Sequence, residues 1–162
     1  MRSTGRTRLV VSALTLFGAL TILASGIVHL RLWGQEDGYR AVPTIGPLFL
    51  LQGICGCLLA VAIVVLRRPV VTLAGAAYMA ASVGGLVVSI RWGLFGYDET
   101  LGAPWATFSL LDELLGLVVL LAAFVLAAAS RPPSTSTQRP SPDDGRRRRR
   151  QASIWSSQGR TE

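Results

Sequence analysis

Five residues of this chain could do chemistry: His29, Gln52, Arg91, Asp112 and Glu113. Each lies in or at the edge of a long apolar run. There an ionisable group costs about 2.5–3.5 kcal/mol at the bilayer centre, and less where it can snorkel to the interface. Histidine titrates near neutrality, so His29 beside a carboxylate could exchange protons with it. Two readings of the set stand side by side. In one, a carboxylate pairs with Arg91 while His29 and Gln52 complete the hydrogen bonds, locking four helices in register. In the other, the same groups line an outward-opening polar pocket for a small solute, ion or proton.

Other chemistries lack their residues. One histidine and two cysteines cannot supply a zinc or iron–sulfur ligand set. Cys55 and Cys57 are two apart, about 200° on a helix, so they point to opposite sides and read as buried, inert thiols. A bis-histidine haem would need two copies of the chain to share their His29 rings. No glycine-rich phosphate loop or nucleophile elbow is present. The chain therefore reads as a non-enzyme with no cofactor of its own.

The elements that position these residues follow from hydropathy. Four apolar runs, 9–30, 48–66, 70–90 and 106–129, fill most of the 162 residues. Crossing a ~30 Å hydrocarbon layer takes about 20 helical residues, and each run is close to that length. Hydrophobic residues make up 51% of the chain, and a mean hydropathy of +0.48 argues against a water-soluble fold. The expected fold is an all-α membrane protein, an antiparallel four-helix transmembrane bundle over 1–129 followed by a disordered basic tail over 130–162. The tail, opening with Arg131-Pro132-Pro133-Ser134-Thr135, has almost nothing to bury.

Arginine placement orients the bundle. All sixteen basic residues are arginine. Arg2, Arg6 and Arg8 precede the first run, Arg67 and Arg68 form the turn between the second and third, and eight follow the fourth. Only Arg31, Arg40 and Arg91 occupy the other two connections, among Glu36, Asp37, Asp98 and Glu99. Thirteen against three places both termini in the cytoplasm of a plasma (inner) membrane protein. A signal peptide cleaved near Ala24-Ser25-Gly26 is the competing parse, and an apolar stretch of ~20 residues favours a retained anchor. The turn Arg67-Arg68-Pro69 makes the second and third spans an antiparallel hairpin, with proline suited to the first turn of the new helix. Trp33, Tyr39, Trp92, Phe95, Tyr97 and Trp105 in the other two connections read as anchors at the outer interface, with an aromatic ligand cage as the lesser alternative.

Small residues mark the contact faces. His29 shares a stripe with Thr15, Gly18, Ser25 and Gly26, and Gln52 shares one with Gly56 and Ala60. Arg91 lines up with Ala77 and Gly84, and Asp112 with Ser109, Gly116, Ala123 and Ala127. A further ladder runs through Ala77, Ala81 and Gly85. This places Asp112 inside the bundle. Glu113, about 100° away, faces headgroups unless the helix is rotated.

In the tail, Arg146, Arg147, Arg148, Arg149 and Arg150 could contact anionic lipids, at about 1 kcal/mol per residue near the surface. A solvated run that fixes topology is the equal alternative. Phosphate on Ser153, in a pattern that resembles a basophilic kinase site, would weaken the lipid contact. Nucleic acid is a disfavoured partner, since no folded reader accompanies the charge.

The stretch His29-Leu30-Arg31-Leu32-Trp33, then Gly38-Tyr39 and the segment from Pro43 through Gly46 and Pro47 to Gln52, resembles a group of uncharacterised small four-span integral membrane proteins of actinobacteria. The resemblance covers the bundle, not the tail. It implies four antiparallel helices in an inner membrane and carries no activity. The residues alone favour a non-catalytic accessory or scaffold component of a membrane complex or homo-oligomer. A solute- or proton-handling protein comes second, and a quinone- or haem-linked redox subunit last. For the topology, alkaline phosphatase inserted within residues 35–38 should be active while a fluorescent protein fused after residue 162 fluoresces. The opposite pair of signals would invert the bundle.

Overall fold

Hydropathy and helix coincide. In a computed structural model, which describes residues 2–103 and 105–130, α1 runs Arg2–Gly34, α2 Ile45–Leu66, α3 Pro69–Trp92 and α4 Ala106–Ala129. All four are long and apolar enough to cross a membrane. Each expected run lies within its helix, and α4 has the expected bounds. At 33 residues, α1 is about 50 Å long and exceeds the ~30 Å apolar layer. Residues 131–162, with the expected tail and the arginines at 146–150, lie outside the described residues.

Helix ends follow local chemistry. Arg67 adopts the left-handed conformation (φ 48°) that ends α2, and Pro69 opens α3, where its missing N–H is no loss. Gly93 ends α3 at φ 71°. The connection after it folds back through a small bridge between Leu94 and Tyr97. A 3-10 turn, Tyr39–Ala41, lies between α1 and α2.

Packing is uneven around the bundle. α1 packs along both α2 and α4, and α3 packs along α4. α2 and α3, although joined by two residues, touch far less than those pairs. The antiparallel hairpin expected from the short turn is present, with its two arms in contact over only a small part of their length. The Ala77–Ala81–Gly85 ladder does not close it: Ala77 and Ala81 are exposed and Gly85 is half-buried.

The interior divides by depth. Toward the Arg67 end it is apolar, with Ala19, Ile22, Ala60, Ile63, Ala76, Met79 and Leu120 in one cluster. Toward the other end Val28, Ile45 and Ala106 are joined by the buried polar residues Ser25, His29, Ser82, Ser89, Ser109 and Glu113. Large apolar side chains such as Leu58, Val65, Leu111, Val118 and Val125 point outward. Lipid tails are as apolar as these side chains, so close packing and hydrogen bonds hold the helices, not apolar burial.

Glycine sets the closest approach. A Cβ on Gly26 would meet the backbone N of Cys57 and the carbonyl of Gly53 at 3.1 Å each. No flexible side chain can give way there. Gly26→Leu should separate α1 from α2 and lower stability by about 1–3 kcal/mol, the usual range for overpacking. It would be read as a fall in Tm in detergent. Gly84→Leu is the control, because a Cβ at Gly84 meets nothing within 4 Å.

Candidate functional site

Glu113 occupies the centre of the polar half and is 1% exposed. Its Oε1 accepts hydrogen bonds from Ser82 Oγ at 2.5 Å and Ser25 Oγ at 3.0 Å. Gln52 Nε2 donates to Ser82 Oγ at 2.5 Å, and Tyr78 donates to the Gln52 carbonyl at 3.0 Å. His29 lies one turn from Ser25, with Nδ1 2.8 Å from the Ser25 carbonyl. A carbonyl only accepts, so Nδ1 carries a proton. One side chain from each helix thus enters a single chain of hydrogen bonds: Ser25 from α1, Gln52 from α2, Ser82 from α3 and Glu113 from α4.

Both hydrogen bonds to Glu113 use Oε1. Oε2 has no hydrogen-bond partner among the described residues, and it is not sealed from the space beside it. That space is a cavity of about 250 Å³. Its floor carries His29, Gln52, Ser82 and Glu113, and its roof carries Tyr39, Leu94, Tyr97 and Glu99.

The roof is a latch between the two connections. The Tyr39 hydroxyl donates a short hydrogen bond to Glu99 Oε2, and the Thr100 N–H donates to Glu99 Oε1 at 3.0 Å. Tyr39 stacks on Phe49 with centroids 4.1 Å apart and meets Tyr97 edge-on at 5.5 Å. Burial, reinforced by the bond to Glu99, pushes the Tyr39 phenol far above the ordinary tyrosine range, so it stays a donor.

Of the five residues singled out in the sequence, His29, Gln52 and Glu113 share this cavity; Arg91 and Asp112 do not. Arg91 is exposed at the end of α3, on the same outward face as Ala77 and Gly84. A long side chain there reaches the interface, and the expected ion pair is replaced by serine hydroxyls on the carboxylate. Asp112 is half-buried, and its Oδ2 has no hydrogen-bond partner among the described residues. The buried face of α4 is Ser109, Glu113, Gly116, Leu120 and Ala123, rotated by less than one residue from the stripe expected through Asp112. Cys55 is exposed and Cys57 half-buried, so the thiols are not both interior. Of the anchoring aromatics, Trp92, Phe95 and Trp105 are exposed. Tyr39 and Tyr97 instead turn over the cavity.

Ser25, Ser82 and Ser109 escape a sequence reading because serine inside a span passes for a small packing residue. The available signal was spacing. Ser25 and Ser109 stand four residues before His29 and Glu113, on the same faces. Among the described residues no three of histidine, cysteine, aspartate and glutamate come together as a metal set. No family model, curated protein or solved structure matches this chain.

A double-mutant cycle tests the floor. Ser82→Ala and Glu113→Ala, alone and together, should show a coupling of about 0.5–2 kcal/mol in unfolding from detergent. Coupling near zero would mean the two side chains do not hold each other in the folded protein.

Proposed function

We propose that this chain is a non-catalytic, ligand-binding protein of the plasma membrane, with both termini cytoplasmic and Glu113 as the central polar contact of its pocket. One observation carries the reading: a carboxylate 1% exposed, with one oxygen committed to serines and the other left toward a cavity that no arginine lines. A buried carboxylate charge without a cation costs several kcal/mol. Among the described residues no arginine supplies that cation and His29 is the one basic side chain in the cavity, so a proton or a ligand has to neutralise the charge. A purely structural carboxylate is better served by an arginine partner, and Arg91 is turned away. The pocket reading therefore overtakes the accessory-subunit reading that composition alone favours.

The polar chamber does not continue through the bundle. Below it, Ile22, Ile63, Met79 and Leu120 are each at most 1% exposed and close the axis. Another hollow, about 580 Å³ and lined by Arg8 and Arg67, lies at the far end. Binding or alternating exposure fits this arrangement, and an open pore does not. Native mass spectrometry of the full chain, released from mild detergent, tests the reading. A defined small-molecule adduct on the wild type that is lost in Glu113→Gln, with Tm retained, is the expected result. A stoichiometric protein partner and no adduct would return the weight to the accessory subunit.

A further inference from the structure

The lining of the cavity says where a ligand comes from. Its roof is shut by the Tyr39–Glu99 hydrogen bond and the Tyr39–Tyr97 contact. Nearly every residue around it is buried or half-buried. The exceptions are Leu48 and Ala81. Leu48 stands on α2 and Ala81 on α3, the two sequence neighbours that pack least against each other. Gly85, one turn on from Ala81 along α3, also lines the cavity, and a Cβ there would meet nothing within 4 Å. The open side is thus a slot between two membrane-spanning helices. It faces lipid in the leaflet that the arginine distribution makes the outer one.

Size and charge say what would fit. Drug-sized ligands occupy pockets of about 300–1,000 Å³. A chamber of about 250 Å³ holds a head group and leaves the remainder of the ligand outside, among acyl chains. Two carboxylates, Glu113 and Glu99, and the rings of Tyr39, Phe49 and Tyr97 line the chamber with His29 and, among the described residues, no arginine. Carboxylates and π faces together attract ammonium groups, most strongly when water is excluded.

Resting on the pocket reading above, we propose that the ligand is a cationic amphiphile. Its ammonium head enters sideways from the outer leaflet between α2 and α3 to sit against Glu113 and the aromatic roof, while its alkyl tail stays in the slot. The head replaces the missing counter-cation and the tail never leaves the lipid.

The probe is decyltrimethylammonium carrying a diazirine on its tail, photolysed with the full chain in phosphatidylglycerol vesicles. Saturable labelling should map to the slot-facing turns of α2 and α3 around Leu48 and Ala81. Unlabelled decyltrimethylammonium should compete, and its uncharged tert-butyl isostere should not. Gly85→Phe, which fills the slot without a backbone clash, and Glu113→Gln should each weaken competition at least tenfold, with Tm near that of the wild type. Equal competition by the isostere would overturn the charge assignment. Labelling confined to 35–44 and 93–103, or full labelling of Gly85→Phe, would overturn the sideways route. Absence of saturable labelling, in a protein that keeps a Glu113-dependent adduct by native mass spectrometry, would overturn the amphiphile and leave the pocket standing. Loss of both would remove the pocket as well.

Discussion

A carboxylate buried among four apolar helices constrains everything around it. Glu113 must have donors, and the nearest available ones are the hydroxyls of Ser25 and Ser82 on two other helices. Meeting that demand fixes the rotation of α1, α3 and α4 about their axes, and the Gln52 amide extends the constraint to α2. Individual hydrogen bonds between membrane helices are modest, about 0.6 kcal/mol on average. Their effect here is on register more than on total stability. Sliding any one helix by a turn would leave a charged or polar atom unsatisfied in a medium that offers no substitute.

The division of the interior into a polar and an apolar half follows from the same constraint. Small side chains carry the polar half: serines beside Glu113, and glycines where α1 and α2 meet. Small residues admit close backbone approach but fill little volume, so a chamber remains beside the carboxylate. In the apolar half the glycines face large side chains. Gly18 opposes Leu120, and Gly75 opposes Ile22 and Ile63, so each missing side chain is matched by a bulky one and the axis closes.

Hydropathy makes the helices legible because a span must be apolar over its whole length, and that signal is summed over about 20 residues. The site is a matter of rotation, and rotation is set by single residues. Asp112 and Glu113 are adjacent, and a turn of the helix by less than one residue exchanges their surroundings. The stripe through Ser109 and Gly116 flanks both, so small-residue patterning selects the region without selecting the side chain. Arg91 misleads for a related reason. Its charge demands a partner only if it is buried, and a residue at a helix end can reach the interface instead. His29 and Gln52 were legible because their stripes carry glycine and serine without a competing neighbour.

Arg67, in its left-handed conformation, stands in a connection only two residues long. Two rods joined so tightly at one end behave as tongs. The hinge spacing is held by the chain itself while the tips are held only by side-chain contact. A splay of about 10° along a helix of ~33 Å moves the tips apart by roughly 6 Å and leaves the hinge almost where it was. The tips are the Leu48 end of α2 and the Ser89 end of α3; the hinge lies beside the apolar half. Loosening would therefore be confined to one leaflet, and the shortest tie in the molecule holds the helices together in the other while it happens.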